Sequence, residues 1–217
     1  PEAVELAKRL VARADIIIEN MTPGAMGRLG LGYEDLKKVR PDIIMLSSCN
    51  QGQTGPHANH PGFGSHLSSL SGFTQLIGYP DGPPMVLYGP YIDFIAVGYG
   101  VVAVVAALEY RRRTGRGQYI DLAQYENGLQ FMAPLLLDFT VNNRIAERTA
   151  NRSSYAAPHG AYRCKGEDKW CVISVDTDEE WETFCDAMGK PDWAKDLRFA
   201  TLLDRKQNEE ELDRLVE

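Results

Sequence analysis

Residues 14–19 read Ala14-Asp15-Ile16-Ile17-Ile18-Glu19, and residues 42–47 read Asp42-Ile43-Ile44-Met45-Leu46-Ser47. Short, continuous apolar runs of this kind are typical of strands that are buried on both faces. Each run follows a segment with helical periodicity, at residues 1–13 and at residues 33–39. This alternation of helix and strand predicts a parallel α/β sheet with right-handed crossovers.

The rest of the chain extends this sheet and then changes character. A third strand is predicted at residues 118–122, and a further apolar helix at residues 127–141. Beyond a polar stretch, an antiparallel strand pair and a helix with the capping box Thr177/Glu180 indicate an α+β unit. We therefore predict part of a large Rossmann-like α/β domain at residues 1–145, a linker at 146–160, and the start of a small α+β domain at 161–217.

Composition restricts the classes of function. The formal net charge of −7 argues against generic binding to nucleic acid or to an anionic membrane. The four cysteines show no CxxC spacing, so we expect a reducing, cytoplasmic location. The apolar segment at residues 94–108 is shorter than the roughly 20 residues that a bilayer core requires. Four small residues recur in this segment at helical spacing, and they are Ala96, Gly100, Ala103 and Ala107. This pattern predicts a buried core helix that packs closely against other parts of the protein.

Asp93 lies between a Pro/Gly-rich loop at residues 79–90 and this apolar segment. A carboxylate in such a position has two interpretations. It can cap the helix that follows by accepting backbone N–H bonds. It can also act as a nucleophile that is shielded from water by Tyr91, Ile92 and Phe94. The residues alone leave both roles open.

A second candidate site follows the first predicted strand, at residues 19–28. Thr22 could cap a helix that begins at Pro23, and the N-terminus of that helix, together with Arg28, would attract a phosphate or pyrophosphate. The alternative is an ordinary turn between strand and helix with a surface arginine. The chain lacks the glycine patterns of dinucleotide-binding and P-loop proteins.

Three histidines lie close together in the loop after the second predicted strand, namely His57, His60 and His66. They could ligate a metal ion, but neither a carboxylate nor a cysteine stands at ligand spacing beside them. We therefore interpret them as polar loop residues and predict no metal site. No GxSxG elbow or Cys/His arrangement indicates a hydrolase triad.

An ordered set of short motifs resembles the class III CoA-transferases, a family that includes formyl-CoA transferase, carnitine CoA-transferase and α-methylacyl-CoA racemase. The motifs run in order over nearly the whole chain, and they are Glu19-Asn20-Met21-Thr22-Pro23-Gly24, Gln53-Thr54-Gly55-Pro56, Pro61-Gly62-Phe63, Leu70-Ser71-Gly72, Asp81-Gly82-Pro83-Pro84, Asp93 and Arg112-Arg113-Thr114-Gly115-Arg116-Gly117-Gln118. Each motif is weak alone, whereas the ordered set is specific.

The resemblance implies the roles of several residues. Asp93 aligns with the nucleophile of the family. The predicted CoA-binding residues are Asn20, Met21, Thr22, Arg28, His60 and Phe63. The family's racemases place a histidine where this chain has Phe63, which cannot carry a proton, and Gly64 occupies a position that is usually acidic.

The resemblance implies a CoA-transferase that moves CoA from an acyl-CoA to a free carboxylic acid through a covalent aspartyl-CoA thioester. A coenzyme A thioester is then a substrate, and no permanently bound cofactor is expected. The alternatives are a 2-methylacyl-CoA racemase or epimerase, and a CoA-binding or oligomerisation module without turnover. The resemblance also implies that the chain is an internal fragment of a protein that forms interlocked homodimers.

Overall fold

The computed structural model describes residues 2–217, which form two compact units. The first unit comprises the residues up to Gly78 and Gly82–Arg148, and the second comprises Tyr79–Asp81 and Thr149–Glu217. The boundary after Arg148 falls within the predicted linker at residues 146–160.

The first unit contains eight helices and three strands in the part of the chain that is described. In chain order they are α1 (Glu2–Val11), β1 (Ile16–Glu19), α2 (Ala25–Arg28), α3 (Tyr33–Val39), β2 (Ile44–Cys49), α4 (Gly64–Leu70), α5 (Phe73–Leu76), α6 (Tyr91–Thr114), β3 (Tyr119–Ala123), α7 (Gln124–Phe131) and α8 (Ala133–Asn142).

The three strands form a parallel sheet in the order β1-β2-β3, which confirms the predicted α/β class. Ile17 lies opposite Met45, and Met45 lies opposite Tyr119. The strand β2 is central, and its apolar residues from Ile44 to Leu46 are buried because protein covers both of its faces.

The two crossovers cover opposite faces of the sheet. Leu36 of α3 packs in one core cluster with Met45, while Ala96 of α6 packs in another with Leu46. Successive strand residues point to opposite faces, so α3 and α6 lie on different sides. Because both crossovers move in the same direction across the sheet, they have opposite hands. The prediction of right-handed crossovers is therefore wrong for one of them.

Helix α6 is the longest described element, and it differs from the predicted core helix. Ala96, Gly100 and Ala107 are buried, as the small-residue spacing predicted. The opposite, apolar face of α6 is exposed, and it comprises Phe94, Val97, Val101, Val102 and Val105. The prediction of a buried helix is therefore wrong. At 24 residues, α6 is long and apolar enough to cross a membrane by length and composition, although core helices of soluble proteins pass the same test.

The predicted helix at residues 127–141 is two helices in the structure. Helix α7 ends at Phe131, and α8 begins at Ala133 with a proline in its first turn. Pro134 lacks the backbone N–H that a continuous helix would require, which explains the break.

The second unit pairs β4 (His159–Arg163) with β5 (Trp170–Ser174) in an antiparallel hairpin. The helices that follow are α9 (Asp178–Ala187), α10 (Leu202–Gln207) and α11 (Glu209–Val216), with 3₁₀ turns at Asp192–Lys195 and Leu197–Phe199. The predicted capping box is present at the start of α9. The core of the second unit contains Trp181, Phe199 and Leu212.

Candidate active site

The carboxyl ends of the three parallel strands meet at one edge of the sheet. Asn20 follows β1, Ser48 and Cys49 end β2, and Gln124 follows β3. Helix α6 begins at the same edge and contributes Asp93 from its first turn. These side chains line a cavity of about 330 Å³, which we call the polar cavity. Ligands of open parallel sheets bind at this edge.

Most of the predicted site residues line the polar cavity. They are Asn20, Met21, Thr22, His60, Phe63 and Asp93. The remaining lining residues are Pro23, Ser48, Cys49, Asn50, Ala58, Asn59, Pro61, Gly64 and Gln124. Arg28 is the one predicted residue that does not line it.

The predicted helix start at Pro23, capped by Thr22, is wrong. Helix α2 begins at Ala25, with Gly24 in the capping position at a φ of 72°. The Gly24 N–H donates to Oε1 of Gln53 at 3.1 Å, and the Ala25 N–H donates to the Thr22 carbonyl at 3.0 Å. The Arg28 guanidinium donates to the Pro23 carbonyl at 3.2 Å. Thr22 therefore does not cap α2, and the N–H groups of Gly24 and Ala25 are already bonded.

Hydrogen bonds hold the loops around the polar cavity to the sheet. The Gln53 backbone N–H donates to both carboxylate oxygens of Asp121 on β3, at 2.9 and 3.0 Å. The Asn50 side chain donates to the Gly62 carbonyl at 2.9 Å, and the backbone carbonyl of Asn50 accepts the Tyr125 N–H at 3.0 Å. The loop after β2 is thus fixed at both of its ends.

Asp93 is the third residue of α6, and no side-chain bond caps this helix. The N-cap interpretation of Asp93 is therefore wrong, since Pro90 occupies that position and accepts the Asp93 N–H at 2.9 Å. The carboxyl group is half-buried. Burial raises its pKa above the usual value, and a hydrogen bond from the Gln124 side chain opposes this rise in pKa.

Gly64 allows α4 to approach Asp93 closely. A Cβ atom at Gly64 would lie 2.8 Å from Oδ2 of Asp93, and it would also collide with Pro90. The acidic side chain that the resemblance implies for this position has no space here. The first turns of α4 and α6 can therefore pack together only because residue 64 is a glycine.

Cys49 and His60 also line the polar cavity. Burial raises the pKa of the Cys49 thiol, so it is protonated at neutral pH. His60 pairs with His57 at a ring-centroid distance of 4.9 Å. Among residues 2–217, no group of three or more His, Cys, Asp or Glu side chains could hold a metal ion.

An apolar groove of about 570 Å³ adjoins the polar cavity. It runs between the sheet and the exposed face of α6, and residues such as Leu46, Val97, Val101 and Leu122 line it. Four polar residues line both spaces, and they are Asn20, Ser48, Asp93 and Gln124. The Asp93 carboxyl group thus lies where a polar and an apolar space meet.

Sequence reasoning missed Gln124, Ser48 and Asn50. Each stands at or directly after the carboxyl end of a parallel strand, which is the signal that could have identified them. The sequence predicts that the third strand ends at Leu122, whereas β3 extends to Ala123, which makes Gln124 the first residue beyond the sheet.

Comparisons with known proteins show which family this chain belongs to. The family model of CoA-transferase family III matches residues 1–217. Succinyl-CoA–D-citramalate CoA-transferase from Chloroflexus aurantiacus is 35% identical over 100% of this chain and 54% of its own length. Acetyl-CoA:oxalate CoA-transferase from Acetobacter aceti is 34% identical over 96% of this chain and 53% of its own length.

The fold comparison gives the same result. A CAIB/BAIF family protein from Brucella suis matches with a TM-score of 0.90 and 32% identity, over 100% of this chain and 57% of that one. The chain spans about half the length of the curated relatives that it matches. It is a member of CoA-transferase family III.

Proposed function

We propose that the full-length protein is a CoA-transferase that moves CoA from an acyl-CoA thioester to a free carboxylic acid, with Asp93 as the covalent nucleophile. The observation that carries the proposal is the half-buried Asp93 carboxyl group in the polar cavity. Family membership supports the general reaction, since the relatives are named as CoA-transferases of succinyl-CoA and acetyl-CoA.

The proposed reaction begins with two attacks. A carboxylate oxygen of Asp93 attacks the thioester carbonyl carbon, the C–S bond breaks, and an acyl-aspartyl anhydride and CoA thiolate form. The thiolate then attacks the aspartyl carbonyl carbon. This step releases the first carboxylic acid as its carboxylate and leaves CoA on Asp93 as a thioester.

The second half repeats these steps in reverse. The incoming carboxylate attacks the aspartyl thioester, which gives a new anhydride and CoA thiolate. The thiolate attacks the carbonyl carbon of the new acyl group, so that acyl-CoA leaves and the Asp93 carboxylate is restored. Limited access of water protects the thioester and the anhydride from hydrolysis, which is why a half-buried carboxylate suits this role.

The racemase alternative requires proton carriers on both sides of the acyl α-carbon. Phe63 lines the polar cavity where the family's racemases place histidine, and a phenyl ring cannot transfer a proton. This observation favours transfer over racemisation. Exchange of the α-proton in deuterated water would identify a racemase.

The test combines isotope exchange with covalent trapping in the full-length protein. Labelled acetate, succinate and benzoate are each incubated with their own CoA thioester, and label in the thioester reports transfer. Hydroxylamine then converts an aspartyl thioester to a hydroxamate, which mass analysis locates. We expect the modification at Asp93, and we expect Asp93→Ala and Asp93→Asn to abolish exchange while CoA still binds. Near-normal exchange by either variant would reject the nucleophile.

We also propose that the full-length protein works as an interlocked homodimer, as the resemblance implies. Its support is the apolar face of α6 together with Leu136, Leu137 and Val141 of α8, all of which are exposed in this chain. Light scattering would measure the mass, and a monomer at micromolar concentration would contradict the proposal.

A further inference from the structure

Gln124 and Asp93 both stand at the carboxyl edge of the sheet and line both the polar cavity and the apolar groove; Gln124 is one of four polar residues that do so. It is the first residue of α7, directly after β3, so the sheet and the helix together fix its backbone. A hydrogen bond from its side chain opposes the rise in the pKa of Asp93 that burial causes. It does not cap α7, because no side-chain bond caps that helix.

The direction of this hydrogen bond follows from its effect. The contact lowers the pKa of Asp93, so it stabilises the ionised carboxylate. Only an N–H donor stabilises a carboxylate in this way, and the amide of glutamine carries two N–H donors. A bond between the two side chains therefore runs from an amide N–H of Gln124 to the Asp93 carboxylate.

We propose that Gln124 is a catalytic residue, which orients the Asp93 carboxylate and then donates an N–H to the oxyanion on the aspartyl carbonyl. The inference rests on the proposed function. The carboxylate oxygen that accepts this bond is the weaker nucleophile, so the other oxygen attacks the thioester. When CoA thiolate later attacks the aspartyl carbon, negative charge develops on the carbonyl oxygen, and a donor already placed there stabilises it.

The same bond sets the pH at which Asp93 can react. Burial favours the protonated acid, which cannot attack, and the Gln124 bond acts against burial. Loss of the donor therefore raises the pKa of Asp93 further, and the acid limb of the acylation rate moves to higher pH. The other titratable groups that line the two spaces are Glu19, Cys49 and His60. They are the same in the wild type and in Gln124→Leu, so a difference between these two proteins reports the bond.

The experiment uses rapid-quench acylation of the full-length protein by acetyl-CoA, succinyl-CoA and benzoyl-CoA across a range of pH. Gln124→Leu removes the donor, and Gln124→Glu removes it while keeping the size of the side chain. Gln130→Leu is the matched control, since Gln130 lies on α7, is exposed and lines neither space.

We expect Asp93 to be acylated about 100- to 1,000-fold more slowly in both Gln124 variants, as for the loss of one oxyanion donor. We also expect the acid limb of the pH–rate profile to lie at higher pH. The control should match the wild type. An unchanged rate and pH profile in the Gln124→Glu protein, with Asp93 still modified, would overturn the role of Gln124 alone. A wild-type protein that carries no label at Asp93 with any thioester would instead overturn the covalent mechanism, and this inference with it.

Discussion

At the scale of single residues, Gly64 controls the geometry of the nucleophile. We expect Gly64→Ala to slow acylation of Asp93 by about 10- to 100-fold, because the added methyl group displaces Pro90 and the carboxylate from their positions. The measurement is the hydroxylamine-trapped fraction of Asp93 against time.

The control for this variant lies two residues earlier. A methyl group at Gly62 would meet the imidazole of His66 at 2.9 Å, and that side chain can rotate away, while Nδ2 of Asn50 lies at 3.4 Å, close to an ordinary contact distance. Gly62→Ala should therefore acylate at the wild-type rate. If Gly64→Ala did so as well, the close packing of α4 against Asp93 would have no part in the chemistry.

The sequence predicted where polar residues meet, but not how each is bonded. Asp93 was placed correctly at the start of a helix after a Pro/Gly-rich loop, and its neighbours follow from the rule that parallel strands end at one edge. The capping role of Thr22 failed because Gly24 adopts a left-handed conformation and shifts the start of α2 by two residues. Such a backbone torsion depends on tertiary bonds, here the one from Gly24 to Gln53.

At the scale of helices and strands, regular periodicity was the reliable signal. Helix α3 was predicted at its observed bounds, and β1 and β2 within two residues of theirs. The exposure of α6 could not be read from its composition, because valine is equally compatible with a buried face and with one that another chain segment covers. The hand of each crossover depends on which face a helix covers, and strands that are apolar on both faces do not encode it.

The packing of α7 against α6 and α4 gives a prediction at this scale. A Cβ atom at Gly128 would collide with Ile92 of α6 and with Ser71, which follows α4. Gly128→Ala should therefore lower the free energy of unfolding by about 1–3 kcal/mol, as overpacked core sites do.

Gly98 supplies the matched control on α6. No atom outside its own turn lies within 4 Å of a Cβ atom built there. Gly98→Ala should raise the free energy of unfolding by about 0.5–1 kcal/mol, because alanine loses less backbone entropy in a helix. Urea titration followed by circular dichroism measures both variants. Equal effects of the two changes would contradict the packing account.

At the scale of the whole molecule, each compact unit has its own core, and the second can be followed separately. All three tryptophans of the chain lie in it, at positions 170, 181 and 193. Tryptophan fluorescence therefore reports the unfolding of the second unit, whereas circular dichroism reports helices of both units. This separation allows a mutation in one unit to be judged without assuming that the chain unfolds in one step.

Arg205 is the residue whose loss the second unit should tolerate least. Its side chain is fully buried, donates to the Ala157 carbonyl at 2.8 Å and to Asp178 at 2.9 Å, and lies over the Trp181 ring at 5.0 Å. Arg205→Met fills much of the volume but leaves these acceptors without their donor. We expect the free energy of unfolding seen by fluorescence to fall by about 2–4 kcal/mol.

Arg198 provides the comparison that decides the cause. It forms ion pairs with Asp196 and Glu211, both at 2.7 Å, but its side chain is half-exposed. Water and salt screen such pairs, so Arg198→Met should leave the fluorescence midpoint close to that of the wild type. If both variants shifted the midpoint equally, loss of positive charge would explain the effect. A shift confined to Arg205→Met would assign it to the buried donors, which hold the Ala157 carbonyl and α9 around one guanidinium group.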